Sequence, residues 1–246
     1  MGLDNDIEYA IKGVLKNPIL TVLREINIVK LLKQSNFIKR SVGYSPYLVL
    51  LHFVYMLLMS KRQSAFIKQS NDAYGKDTYY RFVQSLKYNW RKPLLLCSTA
   101  LIEKVQALYM RGEQRLLIID DTVESKRGKQ IEGSCKSLWS NKDHKLINGL
   151  NIVSLNYSDS HSTFQLDFAI KMNEAKRKEL TEFTNPLHHR SNAYKRREET
   201  LKGKNTLALE MLDRALNQGV QADYVLVDSW YAKLSSVKLN YTTNAE

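Results

Sequence analysis

Residues Leu116–Gly128 constrain this chain more than any other stretch: Leu-Leu-Ile-Ile-Asp-Asp-Thr-Val-Glu-Ser-Lys-Arg-Gly. Four consecutive apolar residues run into two adjacent carboxylates, with a basic cluster directly behind them. An Ile/Leu-rich run that ends in polar residues reads as a buried central strand, predicted over Leu116–Asp120. Carboxylates at the end of such a strand are costly unless a cation or a donor network compensates them. Two readings are open at this point. One is a helix N-cap, where Asp before Thr is common. The other is half of a metal site whose remaining ligands come from elsewhere in the chain.

Charge separates the chain into two parts. The 246 residues carry 37 Lys+Arg and 25 Asp+Glu, a net of +12. Residues 1–110 hold 16 basic and 7 acidic residues, a net of +9, and the remainder hold 21 and 18, a net of +3. An excess concentrated in the first part points to a polyanionic partner there, nucleic acid before membrane. The two cysteines, Cys97 and Cys135, offer no disulfide framework and no Cys-based zinc pattern, and read as free thiols in a reducing compartment. Asp4, Asp6 and Glu8 argue against a signal peptide. The longest apolar run, Tyr47–Met59, contains His52 and is too short to span a bilayer.

The first part reads as a bundle of about five helices with a basic surface. One helix is predicted over Ile19–Leu32 behind Pro18, and a nearly all-apolar one over Tyr47–Met59. Lys61–Ser70 reads as a basic, polar piece. A helix over Tyr79–Leu86 takes Asp77 or Thr78 as its N-cap, and another starts at Asn89–Pro93 and runs to about Met110. Arg111-Gly112-Glu113-Gln114 is the boundary, giving a helical domain over 1–110 and a second domain over 111–246. Beyond it the period changes. Lys145–Tyr157 is a strand with Ile147, Val153, Leu155 and Tyr157 on one parity. Thr163–Met172 alternates without a slip, placing Phe164, Leu166, Phe168, Ile170 and Met172 on one face and Asp167 on the other. The two strands are expected to pair antiparallel. Asn173–Asn205 lacks an apolar period and reads as a long excursion with basic clusters, either solvated surface or a nucleic-acid contact. A helix capped by Asn205 or Thr206 follows, carrying Leu207, Met211, Leu212, Ala215 and Leu216, a Glu210–Arg214 pair and Gly219 as its stop. Ala222–Val227 is the last strand. The fold class is therefore α/β: an all-helical N-terminal part, then a mixed sheet with flanking helices.

The last strand gives the first stretch a partner. A strand returning after a helical crossover runs parallel to a neighbour in the same sheet. If it pairs beside Leu116–Asp120, Asp121 and Asp228 come together although 107 positions separate them. Two close carboxylates repel and require a positive charge between them. Mg²⁺ or Mn²⁺ meets that need through oxygen ligands, and a pair of such ions supports phosphoryl-transfer chemistry.

The chain resembles the DDE transposases of bacterial insertion sequences, which have an RNase H-like core. The resemblance rests on Asp77-Thr78-Tyr79-Tyr80-Arg81-Phe82, Tyr88-Asn89-Trp90, Ile119-Asp120-Asp121-Thr122 and Val227-Asp228-Ser229-Trp230-Tyr231. It implies that Asp121 and Asp228 are the first and second catalytic, metal-binding aspartates. Alternation alone leaves Asp120 and Asp121 open, and the family pattern of Asp directly before Thr selects Asp121. It further implies Mg²⁺ (or Mn²⁺) as cofactor, cleavage and strand transfer on double-stranded DNA at transposon terminal repeats, and a bacterial cytoplasmic, nucleoid-associated setting without membrane. A homodimer or association with a full-length transposase is also implied. Lys126, Arg127 and Lys129 are candidate phosphate contacts beside the acids, as are Arg81 and Arg91 on the helical part, with plain solvation as the alternative. Trp230 and Tyr231 would cover the sheet edge or stack on a base.

One departure from the pattern is large. The family's third acid is a Glu on a later helix, within a Tyr–Arg–Glu–Lys signature. Only 18 residues follow Asp228, and Lys233–Glu246 lacks that signature. Glu124 and Glu132 lie near the first motif but on the wrong side of the topology. The expectation is a C-terminally truncated transposase with little or no activity, or a non-catalytic DNA-binding remnant or regulator of a full-length enzyme.

Overall fold

The computed structural model describes residues 18–35, 43–58, 60–69, 74–108, 114–127, 131–172, 186–228 and 231. Among the described residues six helices come first: α1 (Pro18–Glu25), α2 (Ile28–Gln34), α3 (Pro46–Leu58), α4 (Gln63–Gln69), α5 (Lys76–Val83) and α6 (Arg91–Gln106). Then follow β1 (Leu116–Ser125), β2 (Cys135–Ser140), β3 (Lys145–Ser158), β4 (Thr163–Lys171), α7 (Asn192–Thr200), α8 (Lys204–Asn217) and β5 (Tyr224–Val227). The chain is thus α/β, with helices first and a mixed five-stranded sheet after them. It divides into two compact units, Met1–Cys97 and Ser98–Glu246, the division falling within α6.

Local chemistry accounts for several differences from expectation in the first unit. The single helix expected over Ile19–Leu32 is two, because Asn27 adopts a left-handed conformation (φ 51°) and its side chain accepts the Lys30 N–H at 3.3 Å, restarting the helix as a cap. Lys61–Ser70 contains a helix, α4, with Phe66 buried on its inner side. The N-cap of α5 is Gly75 rather than Asp77 or Thr78, so both of those residues lie inside the first turn. Tyr79 and Phe82 are fully buried within an aromatic cluster. The Phe82 ring lies 5.0 Å from Tyr88, 5.2 Å from Trp90 and 6.1 Å from Phe53. The Tyr79 hydroxyl bonds His52 Nδ1 at 3.0 Å and accepts the Tyr74 N–H at 3.2 Å, which satisfies it in the interior. Tyr79, Phe82 and Tyr88 around Asp77 and Asn89 are therefore core, whereas Tyr80 is exposed.

In the second unit the sheet order is β2-β3-β1-β5, with β4 also paired to β3. β3 pairs antiparallel with β1 along 149–158, and β2 and β4 occupy its other edge in succession. β2, with its irregular register between Cys135 and Leu138, has no counterpart in the sequence reading. β1 runs on to Ser125 instead of stopping at Asp120, since its polar half pairs with Gly149–Val153 of β3. Leu117 and Ile119, Val153, Leu155 and Tyr157, and Leu166 and Ala169 are buried. α8 packs against β3 and β4 with Leu207, Ala208, Met211, Leu212 and Ala215 buried, each large side chain contributing about 1.5–3 kcal/mol of burial. The C-terminal half of α6 belongs to this unit: Ser98 Oγ donates to the Gln165 carbonyl at 2.7 Å, and the Gln106 amide to the Tyr157 hydroxyl at 2.9 Å.

Three further expectations change here. Thr163–Met172 does slip: Leu155 faces Asp167 and Asn156 faces Gln165, leaving Leu166 as the extra residue of a β-bulge. That bulge turns Asp167 inward, where it is 1% exposed and accepts Arg214 Nε at 2.7 Å. The excursion at Asn173–Asn205 contains α7, capped by Ser191 accepting the Tyr194 N–H; residues 173–185 lie outside the described residues. The cap of α8 is Gly203, not Asn205 or Thr206. The Glu210–Arg214 pair (4.0 Å) and the left-handed Gly219 (φ +94°) after the helix are as expected.

One close approach between strands lies beside the polar half of β1. A methyl group on Gly149 would stand 2.1 Å from the Glu124 carbonyl oxygen, a backbone atom that cannot swing away. Gly149→Ala is therefore expected to cost about 1–3 kcal/mol in denaturant unfolding. An unchanged midpoint would show that the two strands part more easily than this contact implies.

Candidate functional site

β5 is only four residues long, and two contacts ahead of it fix where it lies. Arg115 precedes β1 and Asp223 precedes β5. The Arg115 guanidinium donates from Nη2 to Asp223 Oδ1 (2.8 Å) and from Nε to Oδ2 (3.2 Å). The backbones close the clamp, since Arg115 N donates to Asp223 Oδ2 and Asp223 N donates to the Arg115 carbonyl, each at 2.8 Å. Gln221 Oε1 accepts from Arg115 Nη1 at 3.0 Å. The Arg115 bonds hold the Asp223 carboxyl below its ordinary range. Parallel pairing then runs from Leu116↔Tyr224 to Ile119↔Val227.

The next residues on the two strands are Asp120 and Asp228, so the expected parallel return brings the two acidic motifs to one edge. Asp120 is exposed, and its carboxylate accepts the Asp121 N–H at 2.8 Å. Asp121 continues the buried row Leu117, Ile119 and stands opposite Val153 on the face covered by α8. There Lys204 Nζ, on the first residue of α8, donates to Asp121 Oδ2 at 2.7 Å. Asp228 is exposed, and its carbonyl accepts the Tyr231 N–H at 2.8 Å, turning the chain back.

Tyr231 is the residue whose role sequence reasoning left least defined. Its side chain is completely buried and its hydroxyl lies against the Asp121 carboxylate, without a partner in full hydrogen-bond geometry among the described residues. Burial pushes the phenol well above its ordinary pKa, and the charges of Asp121, Asp120 and Asp228 add to the shift. Asp121 thus stands against the buried hydroxyl, and the carboxylates of Asp120 and Asp228 at the same strand ends add negative charge from further off. This oxygen-rich, net-negative donor set is chemically suited to a hard divalent cation. Among the described residues no three His, Cys, Asp or Glu side chains are grouped as a complete metal cage.

The other expected site residues are scattered. Lys126 Nζ is paired with Glu124 at 3.1 Å, and Arg127 is exposed. Lys129 and Trp230 lie outside the described residues. Glu132 is engaged by Arg197, whose Nη2 reaches it at 3.2 Å. In the first unit Arg81 is exposed, with Nε on the Asp77 carbonyl at 3.2 Å, and Arg91 is half-buried at the start of α6. Lys204 and the Arg115–Asp223 clamp were not singled out in the sequence; no local pattern marks a contact between residues 83 or 108 positions apart.

Comparison with known families identifies what this geometry belongs to. Residues 52–244 match the model of the DDE superfamily endonucleases, and the chain belongs to that family. No curated protein matched the sequence. Endonucleases of this superfamily act on DNA and generally use divalent metals. No helix among the described residues is long and apolar enough to cross a membrane.

The depressed Asp223 carboxyl gives stability that is present above the unfolded-state value of about 3.9 and is lost as pH falls through the lower folded value. Acid unfolding of Asp223→Asn should therefore lose that component, its stability falling less steeply below about pH 4 than that of the wild type. Parallel acid-unfolding curves for the two proteins would contradict the clamp.

Proposed function

We propose that the chain is a transposase-type protein of an insertion sequence that grips double-stranded DNA at terminal repeats and holds a divalent cation between Asp121 and Asp228. The observation that supports this most is the β1–β5 pairing, which ends with Asp120 level with Asp228 and Asp121 one residue beyond. Mg²⁺ or Mn²⁺, when bound, would activate a water and neutralise charge at the scissile phosphate. The protein's own part is to hold the two carboxylates at the strand ends, with Asp120 beside them as an acceptor. Tyr231 closes the buried side against water. Lys126, Arg127 and Lys129 hold the phosphate backbone near the acids, and Arg81 and Arg91 add contacts from the helical unit.

Two aspartates bind a cation weakly and leave the transition-state charge under-compensated. The 246-residue chain by itself is accordingly expected to bind DNA and to cut little or none of it. The alternative for the same residues is a non-catalytic DNA-binding regulator of a full-length transposase, acting alone or as a homodimer.

The test uses a terminal-repeat duplex with Mn²⁺ at several salt concentrations. Salt-dependent binding without nicking is expected, and Arg91→Ala and Arg127→Ala should each lower the slope of log affinity against log salt by about 0.9. Nicking that Asp121→Ala abolishes would contradict inertness while supporting the acid pair. Absence of binding at low salt would contradict the DNA reading altogether.

A further inference from the structure

The acidic cluster carries a cation of its own. Lys204 Nζ lies 2.7 Å from Asp121 Oδ2, and the two side chains are 32% and 18% exposed. The carboxylate is thus mostly withdrawn from water, and the ammonium stands on the oxygen that a metal would use. α8 anchors the lysine backbone firmly, because Leu207, Ala208 and Met211 in the next two turns are buried. Its four-carbon stem ends in a part-exposed ammonium that can leave for solvent without disturbing the helix. Four other cations of this unit pair with carboxylates outside the cluster: Arg115 with Asp223, Arg197 with Glu132, Lys202 with Glu210, and Arg214 with Asp167 and Glu199.

We infer that Lys204 is a built-in counter-ion that neutralises Asp121 when no metal is bound and competes with the divalent cation for that carboxylate. This rests on the reading of Asp121 and Asp228 as cation ligands. The physical reason is the repulsion among Asp120, Asp121 and Asp228. Without a positive charge the folded strand ends would carry an uncompensated cluster, one member of which is largely desolvated. An ammonium compensates that charge reversibly, as a bidentate guanidinium would not. The cost is a lower apparent metal affinity, since metal entry must first displace or share the lysine. Lys204 is a positioning residue that sets the metal concentration at which the site fills.

The experiment measures Mn²⁺ binding to the full chain by the loss of the free-ion electron paramagnetic resonance signal, together with thermal unfolding with and without Mn²⁺. Lys204→Met is expected to bind Mn²⁺ on the order of tenfold more tightly than wild type. Its metal-free form should melt lower, and Mn²⁺ should raise its melting temperature by more than it raises that of wild type. Lys204→Arg, which keeps the charge, should bind Mn²⁺ no more tightly than wild type. Unchanged or weaker Mn²⁺ binding by Lys204→Met overturns the inference and makes Lys204 an orienting partner of Asp121 instead. Absence of Mn²⁺ binding in wild type and both variants overturns the cation-site reading itself.

Discussion

The four-residue parallel pairing of β5 with β1 is the constraint on which the rest of this site depends. A strand so short has little pairing energy of its own, and a one-residue slip would turn Asp228 to the opposite face of the sheet. Arg115 and Asp223 remove that freedom just before the pairing begins. A fork of two charge-assisted bonds, with reciprocal backbone bonds beside it, admits one register only. Everything at the far end follows from counting four residues along each strand. The clamp is partly exposed, so its contribution to global stability is modest. Its effect is on where two aspartates end up.

A second charged cluster positions the helix that supplies Lys204. Arg214 on α8 reaches Asp167 on β4 at 2.7 Å and Glu199 on α7 at 3.8 Å, with Glu210 at 4.0 Å on its own helix. Asp167 is buried only because the bulge at Leu166 re-aims it, so a local irregularity of the sheet creates the anchor for two helices. Replacing such a group wholesale with apolar side chains can be nearly neutral, but removing one partner strands a buried charge and costs roughly 3–5 kcal/mol. With Arg214 fixed near the C-terminal end of α8, and Leu207 and Met211 buried along its length, the start of the helix meets Asp121.

Patterns with a strong period were readable from the sequence. The apolar run at Leu116–Ile119, the odd-numbered residues Val153, Leu155 and Tyr157 of β3, and the α8 stripe from Leu207 to Ala215 each report a buried face directly. The parallel return of β5 followed from chain topology, and with it the approach of the two acidic motifs. What failed did so for physical reasons. The bulge at Leu166 preserves apparent alternation in the sequence while shifting the real register by one residue. Asn27 breaks a helix whose apolar stripe runs on through it, because its side chain offers the backbone an alternative partner. α7 is too polar to show a period, as Ala193, Glu199 and Thr200 are its buried residues. Lys204 and Tyr231 acquire their meaning only from tertiary neighbours.

A functional site at these strand ends requires that Asp121 and Asp228 act on one cation. A double-mutant cycle of Mn²⁺ binding, with Asp121→Asn, Asp228→Asn and the pair combined, measures that coupling directly. If the carboxylates share an ion, either single change abolishes most of the binding and the double change adds little more. If the losses from the two single changes simply add, or if Asp228→Asn leaves binding intact, the strand ends do not form a common site.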